Sequence, residues 1–151
     1  MRIHRPTRTL QTLLRGYRQY ENGGIVTVLP AATLLLTTGG FDIGVDEWVF
    51  IQIATFLTKG AAPGVSAINL IENAGMTANV DFWNCFTLGA GSLVAQTYNE
   101  LAAGNWVTRI SAFGFCSVAG LANFDLIATS AGSNSTVAAF NARLSVMQFR
   151  I

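Results

Sequence analysis

Over most of this chain, hydrophobic and polar residues alternate with the period of a strand. In residues 121–128, Ala122, Phe124, Leu126 and Ala128 share one face, and Asn123 and Asp125 fall on the other. Successive strand side chains point to opposite sides, so the pattern predicts a strand with one buried and one solvated face. Residues 48–57 behave differently. One face carries Val49, Ile51, Ile53 and Leu57; the other carries Trp48, Phe50, Ala54 and Phe56, with Gln52 as its polar exception. A strand apolar on both faces has to be covered on both faces, and the outer face of a two-sheet sandwich normally meets water; the pattern therefore predicts that this face meets another subunit, with an internal loop or the N-terminal segment as the alternative cover.

Further strands are predicted at residues 25–29, 33–37, 66–71, 80–87, 92–98, 106–118 and 143–151, with the long one at 48–58. They are rich in Val, Ile, Thr and aromatic residues. Glycine-bearing connections separate them: "TTGG", "GAAPG", "ENAG", "LGAG", "AAGN" and "SAGSNS". Eight or nine short strands with regular turn signals predict an all-β sandwich, jelly roll or small barrel.

The first 22 residues break this pattern. Leu10, Leu13, Leu14 and Tyr17 recur at spacings of three and four, which predicts a short helix capped by Thr9. Pro6 keeps the residues before it extended, and Gly16 and the Gly23-Gly24 pair limit the helix. A helix this short is marginal in water and needs a surface to pack on. The chain therefore divides into an extended or short-helical arm, residues 1–22, and a β body, residues 23–151.

Charge sharpens this division. Five of the nine basic residues, Arg2, Arg5, Arg8, Arg15 and Arg18, lie in the first 20 positions, and the first acidic residue is Glu21. Only 11% of the 151 residues are charged, against ~25% in an ordinary soluble domain. So few charges predict a surface largely covered by partner chains, as in permanent oligomers. The alternative is a monomer solubilised by Ser, Thr, Asn and Gly. In the arm, arginines are interleaved with Leu and Tyr. A purely electrostatic nucleic-acid arm would be polar throughout; the mixture suits a protein groove with apolar pockets and an acidic rim. Arg5, Arg8, Leu10, Leu13, Leu14, Arg15, Tyr17 and Arg18 are the predicted docking residues.

Candidate chemistry is sparse. The single histidine, His4, lies in the arm, so the body has no base for a Ser-His-Asp or Cys-His arrangement. No His cluster or Cys pair has metal-ligand spacing. Asp42, Asp46 and Glu47 fit no calcium loop and read as a solvated turn. "GAGS" lacks the helix and lysine of a phosphate loop. Cys85 and Cys116 sit among aromatic residues and read as reduced core thiols, with a disulfide as the alternative. Residues 25–36 form an apolar run broken by Pro30, too short to span a bilayer. Trp83, Tyr98, Trp106 and Phe140 are candidate sugar-stacking residues, although aromatics in apolar strands usually belong to a core. The expectation is a non-enzyme without cofactor, metal or membrane segment.

The stretch "LAAGNWVTRI" at residues 101–110 resembles the turn-plus-strand of compact jelly rolls related to tumour necrosis factor and complement C1q. Such domains recur in bacteriophage spikes, head fibres, decoration proteins and tail fibres. "FDIGVDEWVFIQI" from Phe41 resembles the family's early strand, turn and long inner strand, although the usual Gly-x-Tyr is replaced by Asp46-Glu47-Trp48. "SAINLIENAG" from Ser66 resembles its central hairpin, and "ARLSVMQFRI" from Ala142 the C-terminal strand near a trimer axis. The resemblance implies a homotrimer with Met147, Phe149 and Ile151 near its axis; the second apolar face of residues 48–57 adds Trp48, Phe50 and Phe56 to the predicted oligomer interface. It implies a virion protein that decorates, cements or forms a spike, docked by its arm onto the capsid or a neighbouring virion protein. Two other classes remain open: a receptor- or carbohydrate-binding module of a fibre, and a shell-forming capsid subunit with an internal basic arm.

Overall fold

The computed structural model describes the backbone of residues 14–59, 64–83, 92–100, 104–131 and 135–150, and within these the side chains of 14–58, 67–82, 109–130 and 142–150. The described residues contain twelve strands: β1 (Leu14–Glu21), β2 (Val26–Val28), β3 (Thr33–Thr37), β4 (Phe41–Ile43), β5 (Glu47–Lys59), β6 (Gly64–Glu72), β7 (Asn79–Trp83), β8 (Ser92–Glu100), β9 (Gly104–Val118), β10 (Gly120–Ala122), β11 (Phe124–Ala131) and β12 (Ser135–Arg150). One sheet runs β1-β12-β5-β9-β7, with β2 also on β12; a second runs β3-β11-β6-β8; β4 and β10 form a short ribbon. Every pairing is antiparallel. The fold is all-β.

The alternation places the core. On β5, Val49, Ile51, Ile53 and Leu57 face inward and are buried, as are Leu144 and Val146 on the neighbouring β12. From the second sheet, Ile68 and Leu70 of β6 and Phe124, Leu126 and Ala128 of β11 join the same cluster. Phe124 is its aromatic centre, 6.1 Å from Phe41 and 5.7 Å edge-on from Phe82. Each large apolar side chain fully buried here contributes about 1.5–3 kcal/mol. Cys116 is a buried free thiol donating to the Val118 carbonyl at 3.1 Å, and burial raises its pKa. Cys85 lies outside the described residues.

Residues 14–17, the described end of the predicted helix, are not helical. Residues 14–21 are a strand paired with β12, Tyr17 opposite Met147 and Glu21 opposite Arg143, with an irregularity between Leu14 and Gly16. The physical reason is a ready-made partner. The open edge of β12 offers a hydrogen-bond ladder to every residue, whereas a two-turn helix carries the full nucleation cost and a mid-helix Gly16. The same stretch also alternates, with Tyr17, Gln19 and Glu21 outward and Arg18 and Tyr20 half-buried. Thr9, Leu10 and Leu13 lie outside the described residues.

Several strand boundaries differ from expectation, and two of the differences shape the fold. The strand predicted at 121–128 is interrupted at Asn123, so β10 pairs with β4 while β11 pairs with β3 and β6. Thr37 and Thr38 donate to Asn123 Oδ1, and the Asn123 carbonyl accepts from Asn73 N–H. The last strand begins earlier, at Ser135, and its pairing with β5 is irregular between Val137 and Ala142. Buried Asn22 closes that irregularity. Its Oδ1 accepts from Ala142 N–H at 2.8 Å, and its own N–H donates to the Ala142 carbonyl at 3.1 Å.

Gly114 on β9 is a close-approach position. A Cβ there would sit 2.8 Å from Val80 Cγ1 and 2.9 Å from the Phe82 ring, the side chains that carry β7 onto the core. Gly114→Ala should lower the unfolding free energy by about 1–3 kcal/mol through overpacking. Gly23→Ala, where an added Cβ meets nothing within 4 Å, should change it by less than about 0.5 kcal/mol. Urea unfolding of the two variants checks the contrast.

Candidate interaction face

The outward side chains of the long sheet form the face with the most chemistry. Trp48 of β5 lies between Phe149 of β12 and Phe115 of β9, and Phe50 lies between Met147 and Phe113. Leu14 and Tyr17 extend these two rows onto β1. Trp48 stands 5.0 Å from both Phe113 and Phe115, and Phe50 stands 6.2 Å from Phe113, all in tilted geometries. Such pairs add about 0.5–1.5 kcal/mol each beyond their area. The six central side chains are half-buried by one another, while Leu14 and Tyr17 are 41% and 53% exposed. Together they make a contiguous apolar end of the face.

Further along the same strands the face turns polar. The next row is Gln19, Ser145, Gln52 and Ser111, followed by Glu21, Arg143, Ala54 and Arg109. All of these except Glu21 line a shallow concavity of about 390 Å³, together with Ile53 and Ile110. Arg143 Nε meets Glu21 Oε1 at 3.0 Å, and Gln19 donates to the same oxygen at 2.7 Å. Beyond the small Ala54, Phe56 closes the polar stretch on β5.

A buried network ties β1 to the start of β5. Glu47 is 5% exposed. Its Oε2 accepts from Gly44 N–H at 2.8 Å and from Gln148 Nε2 at 2.6 Å, and its Oε1 meets Arg15 Nε at 3.4 Å. Arg18 donates to Gln148 Oε1 at 3.3 Å and lies 4.8 Å over the Phe41 ring. Asp46, with φ near 65°, makes the turn that directs Glu47 inward. Burial alone would raise the Glu47 carboxyl; the hydrogen bonds from Gly44 and Gln148 and the charges of Arg15 and Arg150 outweigh it and hold the pKa below the ordinary value.

The structure separates the predicted docking residues. Arg15 and Arg18 are engaged with the body through Glu47, Gln148 and Phe41. Leu14 and Tyr17 lie on the aromatic face beside Phe149 and Met147. Arg5, Arg8, Leu10 and Leu13 lie outside the described residues. Of the predicted interface residues, Trp48, Phe50, Met147 and Phe149 come together. Phe56 stands apart from them, across Gln52 and Ala54, and Ile151 lies outside the described residues. Sequence reasoning missed Phe113 and Phe115. A signal for them existed: Trp48-x-Phe50, Phe113-x-Phe115 and Met147-x-Phe149 share one spacing, and pairing stacks them. Of the acidic triplet, Asp42 and Asp46 are exposed and Glu47 is turned inward, so the three do not converge.

The chain matches no protein-family model and no curated protein sequence.

A depressed carboxyl pKa contributes stability that is complete above the unfolded value and is lost as pH falls through the lower folded value. Glu47→Gln should therefore cost about 1–3 kcal/mol at pH 7, where it removes charge-assisted hydrogen bonds. The gap to the unmodified protein should narrow on acidification below about pH 4.3, the ordinary glutamate value. Denaturant unfolding of both proteins between neutral and acidic pH measures that gap.

Proposed function

We propose that this chain is a structural virion protein of a bacteriophage, with a jelly-roll body that assembles as a homotrimer. In this reading the N-terminal segment docks it onto the capsid or a neighbouring virion protein, as decoration, cement or spike. The observation that carries the proposal is the aromatic end of the long sheet's outer face, Trp48, Phe50, Phe113, Phe115, Met147 and Phe149. A two-sheet body normally turns that side to water. Large exposed apolar patches mark interaction sites, and a chain with 11% charged residues has little charge to solubilise one.

Strand order supports the jelly-roll part. With β2, β3, β5, β6, β8, β9, β11 and β12 taken as strands A to H, the long sheet contains A-H-C-F and the second sheet is B-G-D-E. Two interlocked Greek keys produce this order. The resemblance to the tumour necrosis factor and C1q group supplies the trimer.

A second reading is a receptor- or carbohydrate-binding module of a fibre. The polar concavity around Ala54 favours it, because amides, hydroxyls and guanidinium groups converge there over a small-residue floor.

Analytical ultracentrifugation tests the assembly. The chain should sediment at three times its 16.1 kDa, and Phe50→Lys combined with Phe113→Lys should shift it to the monomer. A soluble monomer at micromolar concentration in the unmodified protein would refute the assembly. Docking is tested by removing residues 1–13, which leaves β1 in the sheet. The shortened protein should keep its mass and lose co-sedimentation with phage particles. Unchanged co-sedimentation would show that the segment is not the anchor.

A further inference from the structure

We infer that the concavity over Ala54 binds a small oxyanion ligand, a carboxylate or a phosphate, with Arg109 as its principal charge. The size pattern along β5 builds the site. Outward positions run Phe50, Gln52, Ala54, Phe56, so the floor drops at Ala54 between bulky ends. Register places Arg143 on one side of Ala54 and Arg109 on the other. Their backbones are two strand spacings apart, roughly 10 Å, which leaves room for an anionic group between the guanidiniums.

The two arginines are not equivalent. Arg143 is held at 3.0 Å by Glu21, which neutralises and orients it. Arg109 is exposed and has no carboxylate partner among the described residues. The site therefore carries one surplus positive charge on a guanidinium, whose planar fork matches the geometry of carboxylate and phosphate oxygens. Gln52 and Ser111 in the adjacent row are exposed and supply neutral donors and acceptors for further hydroxyls on the ligand.

The volume, about 390 Å³, falls within the usual range for small-molecule sites. The inference stands on a single chain and does not rest on the trimer. Assembly would reinforce it, because covering this face would take the Arg109 charge out of water, and a desolvated charge requires a counter-charge.

The test titrates the full chain by calorimetry with inorganic phosphate, glucuronate and, as the uncharged control, glucose. Saturable binding of at least one anion and none of glucose is expected. Phosphate binding would assign the ligand to the phosphate class; glucuronate binding without phosphate would assign it to carboxylate-bearing sugars. Arg109→Gln should weaken binding about tenfold or more. Ala54→Leu should abolish it by filling the floor while both guanidiniums remain. Arg150→Gln, which alters an exposed arginine outside the concavity, should bind as the unmodified protein does. Absence of saturable binding by either anion, or unmodified affinity in Arg109→Gln or Ala54→Leu, would overturn the inference. Ultracentrifugation of the same samples separates the two ideas, since a monomer that still binds the anion removes the trimer and leaves the site.

Discussion

Strand β5 is apolar on both faces, and the rest of the molecule is arranged around that constraint. It lies inside the long sheet, hydrogen-bonded to β12 along one edge and to β9 along the other. Its inward residues, Val49, Ile51, Ile53 and Leu57, meet the second sheet and form the centre of the core. Its outward residues, Trp48 and Phe50, have no second layer within the described chain. They are shielded only sideways, by Phe113, Phe115, Met147 and Phe149. Lateral stacking removes part of their surface from water and leaves a sheet face more apolar than a solvated one.

The N-terminal segment addresses a different problem. An open β12 edge would present a row of unpaired amides and carbonyls, and exposed edges invite pairing with other chains. Residues 14–21 occupy that edge. Side chains then lock the strand in place: Arg15 reaches Glu47, Arg18 reaches Gln148 and the Phe41 ring, and Glu21 pairs with Arg143. Buried charge is costly unless paired and hydrogen-bonded, and Glu47 meets that condition with an arginine, a backbone amide and a glutamine. The arginines of residues 14–21 thus hold the chain to its own body.

The outer face combines two surfaces on the same strands. One end is aromatic, and the other is the polar concavity around Ala54. The boundary between them is a single step along each strand, from Phe50 to Gln52, from Phe113 to Ser111 and from Met147 to Ser145. This sharp change in chemistry at constant register is what lets one face support both an assembly reading and a binding reading.

The sequence alone determined the all-β class, the alternating core residues of β5 and β11, and the unusual second apolar face of β5. These are legible because strand geometry has a fixed period of two, so polarity pattern translates directly into facing. It also exposed the scarcity of charge. Tertiary structure decided the rest. Whether residues 14–17 coil or extend depended on the free edge of β12, a partner more than 120 residues away along the chain. That Arg15 and Arg18 turn toward Glu47 and Gln148 could not be read from a local pattern. Nor could the meeting of Trp48, Phe113, Phe115 and Phe149, or the placing of Arg143 and Arg109 on opposite sides of Ala54. Each depends on cross-strand register, which long-range antiparallel pairing sets and which a one-residue slip would reverse.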